Sequence, residues 1–411
     1  MQSNQQKNAA RPPASAAASR SLRPKLMLIL ALFFVAANLR PVLISLGPVL
    51  DSVQASLDLS GSGSGLLITL PILCFAGFAP FVPRLLRYWP AERLILWALL
   101  VLAAGIAVRS LFGITGLFAG TFISGASISV IMVLLPSIIK DHFPSKAGVM
   151  MSLYSTALCL GAAIAAGATV PLQNIPGSSW RWAMAFWLVP ALLSALVWRP
   201  HIPPRQPQQE RRYSRTPRLR SSLLAWQVTL FMGLQSAVAY CVFGWLPFIL
   251  IDRGLNQVTA GLVLSISLGI QLISSMLAPW MATRGRDQRS TIVLMLTMSL
   301  SGMMGLIYAP LAQVWVWSIV LGLGLGGVFS IALALLVLRS PNPQVAAALS
   351  GMAQGVGYAI AAVGPFALGL LHELTGDWNG VALLFAAFII GGGIFGMGAG
   401  RAGYIKADAK S

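Results

Sequence analysis

"RPHIPPRQPQQERRYSRTPRLRSS", residues 199–222, sits near the middle of the chain and has almost no apolar content. On either side of it lie long apolar runs, and a run of about 18 residues or more reads as a membrane-crossing helix. Six such runs precede it, at roughly 26–50, 63–83, 92–110, 115–139, 147–171 and 181–198. Six follow, at roughly 223–250, 258–281, 291–309, 312–338, 346–371 and 380–400. The fold class expected is therefore an all-α membrane protein with twelve transmembrane helices in two sets of six. The organisation expected is a disordered tail over 1–24, a six-helix bundle over 25–199, a linker over 200–222, a second bundle over 223–401 and a tail over 402–411. The linker itself reads as a solvated segment, or more sharply as a patch for anionic lipid head groups.

Composition agrees. Of 411 residues 57% are hydrophobic and 9% charged, where a soluble domain carries about 25% charged residues. The net charge of +18 would suggest a nucleic-acid partner in a soluble protein. Its placement excludes that reading, because 24 of the 28 basic residues fall in the tails and alternate connections. The opposite face holds only Arg109, Arg181 and Arg253, which leaves Arg40 as the one cation expected in the membrane interior. The positive-inside bias places both termini in the cytoplasm. The start of the chain mimics a signal peptide, but its apolar run continues past Arg40 to Asp51 and reads as a span. Cys74, Cys159 and Cys241 all lie in spans, so no disulfide framework is expected. The three histidines are scattered, and neither a metal site nor a cofactor is expected.

The two halves superimpose with a shift of 199 residues. Pro48 falls on Pro247, Pro80 on Pro279, Pro144 on Pro343, Lys140 on Arg339 and Arg87 on Arg286. Two parallel six-helix repeats place a substrate site near the midplane between them.

Within the first span, "NLRP" (38–41) puts a guanidinium about 22 Å along a helix that starts near Lys25, and tells the helix to break there. A charge at that depth costs at least about 2.5–3.5 kcal/mol. All ten acidic residues lie in loops or at span ends, so no side-chain counter-ion is on hand. Pro41 has no N–H for the carbonyl of Ala37, and its ring disfavours helical angles at Arg40. A break over 38–41 would turn both Asn38 and Arg40 toward one cavity, where irregular backbone is tolerated. The missing counter-ion is then the substrate. The competing reading has Arg40 hydrogen-bonding exposed carbonyls and packing the two halves.

Weaker candidates are Ser267, Gln271 and Ser274, a polar stripe on span eight; Gln354 and Tyr358 on span eleven; Gln235, Tyr240 and Trp245 on span seven; and Tyr154 on span five. Each competes with simple interhelical hydrogen bonding. Spans three, six and twelve carry few strong hydrogen-bonding side chains and are expected to face lipid. Gly322-xxx-Gly326 and Gly392-xxx-Gly396 read as close-packing devices.

Several separate segments carry a resemblance. "NLRP" and "LGPVLD" in the first span, "LLITLPILCFAGFAP" in the second, "LPSIIKDHFP" after the fourth, "SLLAWQVTLFMGLQS" and "GWLPFIL" in the seventh, and "AAALSGMAQGVGYAIAAVGP" in the eleventh resemble the cyanate and nitroimidazole transporter family, the CynX/NimT branch of the major facilitator superfamily. The resemblance implies alternating access and transport of a small solute across the bacterial inner membrane. One departure is clear: "APFVPRLLRYWPAERL" (79–94) lacks the aspartate of the superfamily's Gly-xxx-Asp-Arg type signature, so that motif's gating role is not carried over.

The substrates implied are a small anion such as cyanate or a small nitroheterocycle such as 2-nitroimidazole, the latter able to stack on Trp245 or a tyrosine. An efflux permease for other small drugs or metabolites, or an anion channel, is the alternative. No G-x-x-x-x-G-K-[ST] and no H-E-x-x-H is present, and the spans offer no base for a hydrolase, so an enzyme is not expected. Proton-coupled drug exporters use an intramembrane acid, and none is available. The partners expected are the solute and the bilayer, with the protein a monomer.

Overall fold

The computed structural model describes residues 14–59, 61–203, 219–285, 287–375 and 377–405. The expectations for the tails and linker that fall on 1–13, 204–218 and 406–411 lie outside the described residues. Twelve helices are long and apolar enough to cross a membrane. They are Leu26–Val49, Leu66–Leu85, Ala91–Leu111, Gly113–His142, Pro144–Gln173 and Trp180–His201 as spans one to six. Leu223–Asp252, Thr259–Ala282, Arg289–Tyr308, Leu311–Leu338, Pro343–Leu368 and Asn379–Ala399 are spans seven to twelve. The first helix itself begins at Ala14, within the residues read from sequence as a tail.

Twelve crossings return the chain to the side on which it started. We call that side the terminal face and the other the far face. Spans one to six pack among themselves, as do spans seven to twelve, and the two sets meet where span two and span four touch span eleven and where span five touches spans eight and ten. Leu383, Ile390 and Ile394 of span twelve stay exposed on the outside.

Span one is interrupted where its proline sits. The helix Ala14–Ala37 ends, a turn covers residues 38–40, and a short helix Pro41–Ile44 restarts with proline in its first turn. A second proline, Pro48, lies in the 3-10 turn Gly47–Val49. The break arises from the missing proline N–H rather than from Arg40 leaving helical space: Arg40 keeps φ −85 and ψ −33, against the expectation from its place before proline. The Ala37 carbonyl packs directly on Gly161 of span five, where any side chain would collide with it. That glycine lets the broken turn approach span five.

Arg109 corrects the expectation of a single buried cation. It lies near the far-face end of span three, is 1% exposed, and donates from Nη1 to the Val42 carbonyl at 2.6 Å and from Nη2 to Ser45 Oγ at 3.1 Å. Sequence placed it at the far-face end of the run 92–110, where a cation would meet water. Fold contact with the broken first span draws it inside instead. Arg253 plays a comparable part in the second set, donating to the Leu306 carbonyl and, at 2.5 Å, to the Ala309 carbonyl.

Candidate substrate site

Span one brings Arg40 to a cavity between the two sets of helices. The cavity is about 30 Å³ and is lined by Arg40 and Cys159 from the first set, and by Gln235, Ser236, Ala239, Tyr240, Phe243, Gln271, Leu325, Phe329 and Tyr358 from the second. The guanidinium carbon of Arg40 stands 5.0 Å from the centre of the Phe329 ring, a cation–π contact across the two halves. Among the described residues the acidic side chains lie at span ends or in connections, and Asp287 pairs there with Arg289 on the terminal face.

The floor of the cavity is a seal between the halves. Ser152 Oγ donates to the Met276 carbonyl at 2.7 Å, Ser155 Oγ to the Ser275 carbonyl at 3.2 Å, and Gln354 Nε2 to the Met132 carbonyl at 3.0 Å. Ser137 Oγ reaches the Pro343 carbonyl at 2.9 Å, nearer the terminal face. The register is regular. Cys159, Gln271 and Tyr358, which line the cavity, each sit one helical turn farther from the terminal face than Ser155, Ser275 and Gln354, which form the seal. Farther up, Gly167, Gly261 and Gly269 face open space. The halves are thus joined on the terminal-face side of the cavity.

The residues singled out from sequence divide into two groups. Arg40, Gln235, Tyr240, Gln271 and Tyr358 come together in the lining. The Tyr358 ring packs against Phe75, tilted by 52° with centroids 5.2 Å apart, and lies 6.4 Å from Tyr240. The Gln235 amide is held by Ser236 Oγ at 2.8 Å, whereas Gln271 Nε2 is buried without a hydrogen-bond partner. Tyr154 is buried close to Arg40 with its hydroxyl likewise unpartnered, but outside the lining.

The others point elsewhere. Asn38 does not turn toward the cavity with Arg40. Its Nδ2 donates to Ser194 Oγ at 2.6 Å and to the Pro190 carbonyl at 3.0 Å, anchoring the broken turn to span six. Trp245 Nε1 donates to the Pro365 carbonyl at 3.1 Å, within the second set. Gln354 belongs to the seal. The polar stripe of span eight reaches the cavity only at Gln271, because Ser267 and Ser274 pack on Gly322 and Gly326 of span ten. The closely spaced glycines serve that packing.

Sequence reading missed Cys159, Ser236, Ala239, Phe243, Leu325 and Phe329. Nothing in one chain's periodicity marks an apolar residue as a cavity wall; only the meeting of the two helix sets does so.

A twelve-helix bundle in two halves, sealed on one side of a midplane cavity, defines the class: a secondary transporter, not an enzyme. The family model described as Major Facilitator Superfamily matches residues 26–365. The chain is 35% identical over 392 residues to the 2-nitroimidazole transporter of Escherichia coli (strain K12), covering 93% of this chain and 98% of that one. It is 30% identical over 369 residues to the cyanate transport protein CynX of the same organism, covering 88% and 95%. Among solved structures, the proton:xylose symporter XylE matches with a TM-score of 0.78 over 93% of this chain and 97% of that one, at 12% identity, which shows the shared fold. The chain belongs to the Major Facilitator Superfamily, on the branch that includes the cyanate and 2-nitroimidazole transporters. It is a multi-pass membrane protein of the bacterial inner membrane that moves small solutes.

Proposed function

We propose that this transporter carries a small, planar monoanion and that Arg40 is the solute's counter-charge. The observation that carries this reading is a guanidinium in the lining of a midplane cavity whose other lining residues include no carboxylate. Gln235, Gln271, Tyr240 and Tyr358 supply further donors, and Phe243 and Phe329 supply flat apolar walls. A cyanate-sized anion suits that chemistry, and a relative named a cyanate transport protein supports it. A small nitroheterocycle, which a second relative is named for transporting, is the second reading, and the Phe243 and Phe329 rings are what favour it. Asn38, Tyr154, Trp245 and Gln354 act behind the site, holding the helices that present it.

The basic linker and tails put both termini in the cytoplasm, so the seal is cytoplasmic and the cavity faces the periplasm. The bundles over 25–199 and 223–401 rock about the cavity as two bodies, in a monomer with no nucleic-acid partner.

The test is ligand-induced thermal stabilisation of purified protein. Cyanate raises the melting temperature of wild type and leaves Arg40→Gln unmoved, while Arg40→Lys keeps a small part of the shift because lysine presents a point charge in place of a planar fork. Equal stabilisation of wild type and Arg40→Gln by cyanate would remove Arg40 from the site.

A further inference from the structure

The charges around the cavity constrain how the carrier completes its cycle. The lining offers one guanidinium, one thiol, two phenols, two amides, one hydroxyl and apolar groups. Thiols and phenols ordinarily titrate near about 8.5 and 10, so the guanidinium is the lining's one charge at neutral pH. The empty cavity therefore carries one positive charge, and a monoanion brings it to zero.

Switching sides requires the floor to open and the far-face halves to close. In between, the cavity is shut from both sides. There the five donors of the guanidinium are left to the lining's own groups and to whatever water is trapped with them, and that lining holds no carboxylate. The Phe329 ring covers one face of that group at 5.0 Å. Gln271 Nε2 and the Tyr154 hydroxyl are already without partners nearby. An enclosed, unneutralised guanidinium is disfavoured there, and a bound anion removes the penalty while satisfying the spare donors.

We propose that the empty carrier does not traverse this enclosed state at a useful rate, so that the protein is an obligate one-for-one exchanger of small monoanions. Exchange in this form rests on Arg40 being the solute's counter-charge. An anion entering from one side cancels the Arg40 charge and lets the floor of Ser155–Ser275 and Gln354–Met132 contacts open. Only a second anion brings the carrier back. The exchange moves no net charge.

The experiment uses full-length protein in liposomes preloaded with radiolabelled cyanate, benzoate or 2-nitroimidazole. Efflux is measured into buffer alone and into buffer holding the same unlabelled solute. Cyanate or benzoate outside accelerates its own efflux by about tenfold or more, and an imposed potassium–valinomycin potential leaves that exchange rate unchanged. Equal anion efflux with and without outside solute overturns exchange while leaving anion transport standing. If only neutral 2-nitroimidazole leaves faster than from protein-free liposomes, the counter-charge reading falls and this inference with it. A second measurement follows the distance across the terminal face in single fluorophore-labelled molecules. Wild type switches between the short and the long distance about tenfold or more faster with cyanate than without it, and Arg40→Gln switches at one rate with or without the anion. Equal switching rates in wild type with and without cyanate would also overturn the proposal.

Discussion

Arg109 Nη1 donates to the Val42 carbonyl at 2.6 Å, so a buried cation of span three holds the restarted turn of span one two residues beyond Arg40. The short helix Pro41–Ile44 stops before the Leu46 N–H can answer the Val42 carbonyl, and Arg109 supplies that donor instead. Arg109→Ala is expected to lower stability by about 1–3 kcal/mol, the cost of an unanswered buried acceptor. Arg109→Lys recovers part of that loss, since one ammonium still reaches Val42. Thermal unfolding in detergent measures both, and an unchanged melting temperature for Arg109→Ala would mean the contact contributes nothing.

Gly351 and Gly355 allow span eleven to lie on span two at the terminal face. A Cβ at Gly351 would stand 2.8 Å from the Ala79 carbonyl oxygen and 2.9 Å from Pro83 Cγ. Gly351→Leu therefore wedges this seal apart, at about 1–3 kcal/mol of overpacking. The population shifts toward opening on the terminal face, read as longer distances between spin labels on spans two and eleven. Gly167→Ala, where nothing lies within 4 Å, leaves those distances alone.

Gln271 Nε2 is buried without a partner, so the resting site holds a donor that awaits its acceptor. Gln271→Met keeps the shape and removes the unpaired amide. It should raise the melting temperature of the anion-free protein and weaken cyanate binding by roughly five- to tenfold, the worth of about one hydrogen bond. Stability and affinity moving in the same direction would contradict this assignment.

In a cysteine-free background, which requires replacing Cys74, Cys159 and Cys241, a cysteine at 271 is labelled by small aqueous thiol reagents and is protected by cyanate. Cysteines at 267 and 274 are not, because those positions are 0% and 3% exposed against span ten. Labelling of all three alike would return the whole stripe to the cavity.

Topology is checked by reporters fused within 205–218 and at the C-terminus. Both are expected to read cytoplasmic by the charge bias. A periplasmic signal from either would reverse the assignment of the sealed face.

The number of spans and their places were legible in the chain because lipid permits one solution to a long apolar run, a helix that satisfies its own backbone. The break before Pro41 was legible for a similar reason, since a missing N–H is a property of one residue. Arg40 stood out because a charge is rare at that depth. None of this depends on partners. Where each polar side chain of a span points does depend on them. Asn38 and Arg40 flank the same turn, yet Ser194 and Pro190 of span six take the first and the cavity takes the second. Gln271 and Ser274 share a stripe, yet the glycines of span ten bury the serine. Arg109 ends an apolar run as a loop residue would, and is drawn inward by a carbonyl 67 residues away in sequence. Helical period fixes which residues share a face; the docking of one helix on another decides which face meets lipid, neighbour or solute.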